Sequence, residues 1–203
     1  MERKRQSGSL PVIHKVHKAG FFDFRHVDGA TWNLTRKQFA EDEKSPMMLP
    51  SWTQLGKFGK RSDLRLLLSD IIVDIQFNSH SKPDFQYRFG RGYITDLASV
   101  PGAIRSFVDN DDIDIILAAL VHDRNFSTHP ITFNQTNELF YKMFLARRGV
   151  PGSDEKWVSL PRRAKFAWWA VRSFVGRLNW RRMKKRRRVW TLATSTFKLI
   201  HHD

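Results

Sequence analysis

The sequence predicts an α+β fold in which N-terminal antiparallel β hairpins or a small sheet pack against three or more C-terminal helices. Short runs of aromatic and β-branched residues, separated by turn residues, fill the chain up to residue 89. From residue 111 onward, apolar residues recur with the period of a helix instead. Strands followed by helices are typical of a sheet that is covered by helices on one face.

The composition fits a single domain with two extensions. At 203 residues, with 41% hydrophobic residues that include 16 Phe and 7 Trp, the chain can bury a substantial core. We expect a flexible N-terminal arm over residues 1–19, one domain over residues 20–180 and a basic C-terminal tail over residues 181–203. The absence of cysteine excludes disulfides and thiolate metal sites.

The sequence predicts no transmembrane segment and no signal peptide. Its longest apolar run, residues 115–121, is far shorter than the roughly 20 residues that a helix needs to cross a bilayer. Residues 1–6 are charged, but no apolar stretch of the length found in signal peptides follows them. We therefore expect a protein that is not secreted by a signal peptide.

Two pairs of strands are predicted in the first half of the chain. The segment GFFDFRHVDGATWNLT places aromatic residues on both sides of Asp28 and Gly29, and Asp-Gly is a strong signal for a two-residue hairpin turn. Residues 40–63 contain two prolines and several charges and are predicted to form a loop. Residues 71–77 and 84–89 are strand-like runs joined by a polar turn, so we expect a second antiparallel pair.

Three helices are predicted in the second half. Residues 111–126 are apolar on nearly all sides, which is typical of a helix buried in a core. A second helix is expected to begin at a cap on Thr132 or Asn134 and to end at Gly149. Pro161 is suited to the first turn of a third helix, which carries apolar residues at helical spacing.

A candidate site combines the bridge ITDLASVP with the end of the first predicted helix. The bridge contains Asp96 and Ser99, and the apolar helix is followed directly by His122 and Asp123. If the bridge lies over the helix end, these four side chains converge. Two carboxylates and an imidazole suit a divalent cation, or a water held between an acid and a base. The predicted metal ligands are Asp96, His122 and Asp123.

The same residues also have a purely structural interpretation. Asp96 can form a side-chain turn with a downstream amide, and Ser99 can cap a helix whose first turn contains Pro101. His122 and Asp123 can be the hydrogen-bonded terminus of a helix. Spacing alone leaves both interpretations open.

Other catalytic motifs are absent from the sequence. It contains no His-Glu-x-x-His, no Gly-rich phosphate loop and no Gly-x-Ser-x-Gly elbow. His14 and His17 adjoin lysines, whose positive charge opposes metal binding. His129 lies seven residues beyond His122 and can fold back toward the candidate site.

Positive charge is concentrated near the C-terminus. The net charge is +15, and residues 162–188 contain twelve Lys or Arg and no Asp or Glu. Tryptophans interleave with these cations, a mixture that suits nucleic acid or an anionic lipid surface. In the alternative interpretation the aromatic residues belong to the core and residues 181–188 form a solvated tail. The predicted polyanion-binding residues are Arg181, Arg182, Lys184, Lys185, Arg186, Arg187 and Arg188.

Four motifs in this order resemble a family of domains of unknown function that is common in tailed bacteriophages and prophages. The motifs are GYITDLASVP, AALVHD, NELFYKMFLARRGV and FAWWAVRSFVG, and the resemblance covers about residues 68–178. They are similar to the family's Gly-Phe-x-Thr-Asp-x-Ala-Ser-x-Pro, Leu-His-Asp, Ala-Asp-x-x-Phe and Trp-Ala-Val-Arg elements. Asp96, Ser99, His122 and Asp123 match the family's polar positions. The chain departs from the family at Asn137, where the family usually has Asp, so that its candidate site is poorer in charge.

The resemblance implies a phage origin but no settled activity, and it leaves open whether the protein is an enzyme. The first hypothesis is a virion-associated or morphogenesis protein, located in the host cytoplasm during infection or in the virion. Its expected partners are other virion proteins, with nucleic acid or an anionic surface at the basic tail. The second is a hydrolase of cell wall or peptide that uses a divalent metal as cofactor. The third is a nucleic-acid-binding accessory protein that acts through residues 162–188.

Overall fold

The predicted α+β class is confirmed by the computed structural model, in which strands are mostly N-terminal and helices mostly C-terminal. The structure describes residues 12–14, 20–24, 26–41, 49–58, 60–61, 64–76, 84–96, 113–146, 168–169, 171–186 and 188–200. The strands are β1 (Val12–His14), β2 (Phe21–Asp23), β3 (Arg65–Leu67), β4 (Ile71–Gln76), β5 (Phe85–Phe89), β6 (Ile94–Thr95) and β7 (Ser195–Leu199). The helices are α1 (Gly29–Glu41), α2 (Trp52–Leu55), α3 (Ile113–Thr128), α4 (Phe133–Ala146), α5 (Phe174–Arg186) and α6 (Arg188–Thr194).

The strands form two antiparallel sheets. The larger has the order β1-β4-β5-β7 and the smaller the order β2-β3-β6. The predicted pairing of residues 71–77 with 84–89 is confirmed, because Ile71 lies opposite Phe89 and Ile75 opposite Phe85. This hairpin is the centre of the larger sheet.

Both outer strands of the larger sheet come from segments that the sequence predicted to be an arm and a tail. Strand β1 pairs with β4, and β7 pairs with β5 so that Ser195 lies opposite Phe89. The segment STFKL alternates polar and apolar residues, and its Phe197 ring lies 5.0 Å from Tyr87. The tail was predicted from the basic run that precedes β7. The alternation typical of a strand is nevertheless present in β7 itself.

Asp28 and Gly29 start a helix, so the predicted hairpin turn at this step is wrong. The Asp28 carboxylate accepts a hydrogen bond of 2.8 Å from the Thr31 amide, as an N-cap does, and this bond lowers the Asp28 pKa. Helix α1 then buries Trp32 and Phe39, two turns apart. Strand β2 pairs with β3 instead. An Asp-Gly step is compatible with a turn and with the start of a helix. The helix is favoured here because it buries Trp32 and Phe39.

Part of the predicted loop over residues 40–63 is helical. Ser51 and Gln54 form a capping box in which the Ser51 amide donates to Gln54 Oε1 at 2.7 Å and the Gln54 amide donates to Ser51 Oγ at 3.2 Å. The single turn of α2 that follows buries Leu55 completely. The sequence signature Ser-x-x-Gln was available but was outweighed by the surrounding charges and prolines.

The apolar core has two parts, one for each sheet. Helices α3 and α4 pack on the larger sheet, whose Val73, Tyr87 and Phe89 lie against Leu117 and Leu120 in one cluster. Helices α1 and α2 contribute to a second cluster with the smaller sheet. A fully buried Leu, Val or Phe side chain contributes about 1.5–3 kcal/mol, so these clusters supply most of the stabilisation of the fold.

Helix α3 is buried on all sides, as predicted, but it does not end at His122 and Asp123. It continues to Thr128, and Arg124 and Asn125 find partners inside the protein. Arg124 Nε donates to Ser195 Oγ at 3.2 Å, and Asn125 Nδ2 donates to the Tyr87 hydroxyl at 3.1 Å. His122 and Asp123 therefore lie within a buried helix, where unpaired polar groups are costly.

Helix α4 begins where the sequence predicted. The Gln135 amide donates to Thr132 Oγ1 at 3.3 Å, and the Thr132 amide donates to Gln135 Oε1 at 2.9 Å. This capping box confirms Thr132, rather than Asn134, as the cap. The predicted end at Gly149 lies outside the described residues.

The third predicted helix is interrupted. The chain is helical at residues 168–169 and 171–172, bends at Ser173 and continues as α5, whereas Pro161 lies outside the described residues. Ser173 caps α5, because its Oγ accepts from the Gly176 amide at 3.3 Å and its carbonyl accepts from the Arg177 amide at 3.0 Å. A Cβ atom on Gly176 would overlap the Val171 carbonyl oxygen, so glycine is required at this bend. In the part of the chain that the structure describes, no helix is long and apolar enough to cross a membrane.

Candidate functional site

Strand β6 and helix α3 are joined by a buried hydrogen bond. Thr95 Oγ1 donates to Asp123 Oδ2 at 2.9 Å, and both side chains are almost inaccessible to solvent. The antiparallel pairing of β6 with β3 fixes the position of Thr95. Asp96 follows directly and is only half-buried, so it marks the side of the cluster nearest to solvent.

Helices α3 and α4 are joined by a second buried hydrogen bond, between His122 and Asn137. The atoms His122 Nε2 and Asn137 Oδ1 lie 3.1 Å apart. Asn137 Nδ2 donates to the Phe133 carbonyl at 2.8 Å, which fixes the orientation of the amide and leaves Oδ1 as the acceptor. His122 Nε2 therefore carries the proton of the neutral imidazole, and the lone pair is on Nδ1.

The surroundings of His122 favour the neutral imidazole. Its ring centroid lies 4.2 Å from that of Phe126 and 5.0 Å from that of Phe140, and the side chain is 2% exposed. Burial lowers the pKa of His122 to about 4, against the opposing effects of the hydrogen bond to Asn137 and the attraction of the Asp96 carboxylate. His122 is thus uncharged at neutral pH.

The polar residues predicted from the sequence lie in one region of the molecule. His122 and Asp123 are adjacent on α3, Asn137 contacts the first, and Asp96 acts on His122 through its charge. Ser99, the remaining predicted site residue, lies outside the described residues. We refer to Thr95, Asp96, His122, Asp123 and Asn137 as the polar cluster.

The chemistry of the polar cluster is that of a set of neutral and acidic hydrogen-bonding groups. Among the described residues there is no group of three His, Asp or Glu side chains that could hold a metal ion. His122 Nε2 is directed at Asn137, and Asp123 Oδ2 accepts from the Thr95 hydroxyl. These bonds link β6, α3 and α4.

Sequence reasoning missed Thr95 and the role of Asn137 as a partner of His122. Thr95 and Asp123 are 28 positions apart, and no local pattern indicates that they meet. Asn137 was singled out only as a departure from the family pattern. Asn137 lies four residues after Phe133, and an Asn side chain can bond back to the carbonyl of the preceding turn. This spacing was the local signal that the amide has a fixed orientation.

His129 contacts α5, not the polar cluster. Its ring stacks on Trp180 with the centroids 3.9 Å apart and the planes within 4° of parallel. Its Nε2 lies 3.0 Å from the Trp180 carbonyl oxygen. Trp180 also meets Phe126 edge-on at 4.8 Å and Phe133 at 5.6 Å. These contacts dock α5 on the α3 and α4 pair.

Helix α5 exposes positive charge. Arg177, Arg181 and Arg182 are exposed, and we call them the basic face. Lys184, Lys185 and Arg186 belong to the same helix, Arg188 begins α6, and Arg187 lies outside the described residues. Residues 181–186 are thus part of a folded helix, which differs from the solvated tail considered in the sequence analysis. The apolar residues that precede them, Trp180 above all, supply the packing that holds this basic segment in place.

The comparisons with known proteins concern the central half of the chain. Residues 71–171 match a family described as "Protein of unknown function (DUF1353)". The span includes all five members of the polar cluster and ends before α5, so the basic face lies outside it. No curated protein matches the chain, and no solved structure does. The predicted similarity to a family of domains of unknown function is confirmed for this span.

Proposed function

We propose that this chain, in which a core similar to DUF1353 is joined to a basic helix, binds nucleic acid through the basic face as a component of a bacteriophage particle or of its assembly. The observation that carries this proposal is the docked helix α5 with Arg177, Arg181 and Arg182 exposed. The phage context rests on the four sequence motifs that resemble a phage family.

The charge distribution supports nucleic acid as the partner. Residues 162–188 contain twelve Lys or Arg and no Asp or Glu, so no acidic side chain within this segment offsets their charge. A polyphosphate backbone releases condensed counterions when such cations approach it, and this release drives association. A concentration of like charge also increases the rate of encounter with a polyanion.

The packing of α5 makes the basic face more effective than a solvated tail. Trp180 holds one side of the helix against His129, Phe126 and Phe133. The exposed arginines of the same helix are therefore attached to an ordered backbone before binding. Less conformational entropy is lost when the binding groups are already positioned.

Nucleic-acid binding is tested by measuring affinity for an oligonucleotide over a range of salt concentrations. In the double variant Arg181→Gln/Arg182→Gln, we expect the slope of log K against log salt concentration to fall by roughly one for each lost phosphate contact, or about 2 in total. The matched control is Lys37→Gln/Lys60→Gln, which removes two exposed cations far along the sequence from α5. Binding that is independent of salt, or an equal loss in the control, would refute the proposal.

The role in the particle has a separate test. Mass spectrometry of purified particles from a phage that encodes this chain should recover it in a fixed ratio to the major structural proteins. A role in assembly alone would instead place the chain in assembly intermediates. If the chain is found neither in particles nor in assembly intermediates, the virion and morphogenesis roles are refuted. Nucleic-acid binding is then decided by the oligonucleotide measurements alone.

A hydrolase is the second candidate, and the effect of Asp96 on His122 favours it. A half-buried carboxylate beside a neutral imidazole gives a proton acceptor near solvent and a group that can hold or receive a proton. A buried ionisable group with a strongly shifted pKa, such as His122, is often found at an active site. In this candidate Asp96, His122 and Asp123 act on water directly, and Ser99 orients the water or the substrate.

The hydrolase candidate is tested by assaying hydrolysis of cell-wall fragments and peptides. Turnover that is lost in both Asp96→Ala and His122→Ala would support it. Asn137→Asp restores the family's usual residue beside His122, so turnover should rise in this variant if the cluster is catalytic. Wild-type protein that hydrolyses neither substrate class would count against this candidate.

A further inference from the structure

We infer that Trp169 is a stacking platform for nucleic-acid bases, so that the preferred ligand is single-stranded; this inference rests on the nucleic-acid binding proposed above. Trp169 is 66% exposed, the largest exposed fraction among the large hydrophobic side chains of the described residues. Exposed indole surface is unfavourable in water, and a ligand that covers it gains the free energy of its burial.

The neighbouring tryptophan supplies the contact of this segment with α4. Trp168 is half-buried, and its ring lies 5.5 Å from that of Tyr141 on α4. The core-facing role in this segment is thus filled by Trp168. Trp169 directs most of its surface to solvent from a position next to an anchored residue.

Cations flank Trp169 along the chain. The guanidinium of Arg172 lies 4.2 Å from the centroid of the Trp168 ring, and the Arg172 side chain is exposed. This cation–π contact holds a positive charge on the same short helical segment as Trp169. The basic face of α5 follows after the bend at Ser173. An aromatic surface for a base is therefore followed along the chain by arginines for phosphates.

This combination favours a single strand over a duplex. In a duplex the faces of the bases are covered by their neighbours, and a side chain cannot stack on them without unstacking a step. In a single strand every base presents a face, and aromatic side chains beside a basic surface are the common way to bind it. Trp169 offers such a surface without any need for base-specific contacts.

The same observations favour nucleic acid over an anionic membrane. A helix that lies in a membrane interface needs a continuous apolar side that is available to lipid. The Trp180 side of α5 is already packed against α3 and α4, and the exposed side mixes Val175 with Asn179 and arginines. The apolar surface required for insertion is therefore taken up within the protein.

The test compares single-stranded and duplex oligonucleotides with the same number of phosphates, using the full chain. In Trp169→Ala we expect affinity for the single strand to fall about 5- to 100-fold, whereas affinity for the duplex and the salt dependence of both stay at the wild-type values. Trp169→Phe should recover most of the loss, because a phenyl ring still stacks. The matched control is Leu34→Ala, which removes an exposed apolar side chain from α1 and should change neither affinity.

The outcomes separate this inference from the proposed function. If the wild-type protein binds both oligonucleotides with salt-sensitive affinity and Trp169→Ala reduces both equally or neither, the stacking role is refuted and nucleic-acid binding stands. If the wild-type protein binds neither, both proposals fall. If vesicles containing phosphatidylglycerol, but neither oligonucleotide, bind in a manner that depends on Trp169, the surface is a lipid site and the inference is wrong.

Discussion

The polar cluster and the basic face differ in the exposure of their polar side chains to water. In the polar cluster His122, Asp123 and Asn137 are withdrawn from water, and each has a hydrogen-bond partner within the protein. On the basic face Arg181 and Arg182 remain in water. A buried polar group without a partner costs about 1–3 kcal/mol, whereas an exposed one costs almost nothing.

This difference indicates what each region contributes. Changes in the polar cluster should alter the stability of the fold and its dependence on pH. Changes in the basic face should alter binding and leave stability alone. Trp180 belongs to the packing that connects the two regions, because its ring contacts both α3 and α4 while its own helix carries the basic face.

Trp180→Ala should have the largest effect on stability. It should also weaken binding, so that one substitution affects the properties of both regions. Removal of the ring deletes the contacts with His129, Phe126 and Phe133, and we expect the free energy of unfolding to fall by about 3 kcal/mol. Binding of nucleic acid should weaken as well, because α5 loses its anchor. Chemical denaturation and oligonucleotide affinity measure the two effects. Trp180→Phe is the control and should retain part of both; an alanine variant with wild-type stability would refute the docking role.

The pH dependence of stability should identify the polar cluster. His122 has a pKa of about 4 in the folded protein and an ordinary value of about 6.5 in the unfolded chain. Between these values only the unfolded chain binds the proton, so stability falls as the pH decreases from 6.5 to 4. The expected loss between pH 7 and pH 4.5 is about 2 kcal/mol from this group alone.

His122→Gln removes this titration, and denaturation at the two pH values provides the measurement. The variant should lose less stability on acidification than the wild type, by about the same 2 kcal/mol. His26→Gln changes an exposed histidine and should leave the wild-type difference in place. If His122→Gln shows the full wild-type loss, the account of His122 as a buried neutral base is incorrect.

The parts of the fold that could be predicted are those with local signals. Helix α4 follows from Thr132 and Gln135, which form the cap, and from the apolar spacing that comes after them. The hairpin of β4 and β5 follows from two apolar runs on either side of a polar turn. In each case the residues that decide the structure are neighbours in sequence, so a short window contains the information.

The parts that could not be predicted depend on partners far apart in sequence. Strand β7 joins the sheet because residue 195 meets residue 89, and no local pattern specifies that pairing. The bond between Thr95 and Asp123 is of the same kind. At Asp28 the local signal was present but ambiguous, since an Asp side chain can stabilise a turn or cap a helix. The sequence therefore indicated which polar residues form the cluster better than it indicated how they bond.

Arg181→Gln/Arg182→Gln should have the smallest effect on stability, and this makes it the sharpest test of the comparison. Both side chains are exposed, and substitutions at such positions usually change the free energy of unfolding by less than about 0.5 kcal/mol. The same variant is expected to lose much of its salt-sensitive binding to nucleic acid. Thermal unfolding and affinity measured on one preparation would show the two properties separating. A variant that loses stability and binding together would mean that the basic face also holds α5 in place, and the division between a structural cluster and a binding surface would have to be abandoned.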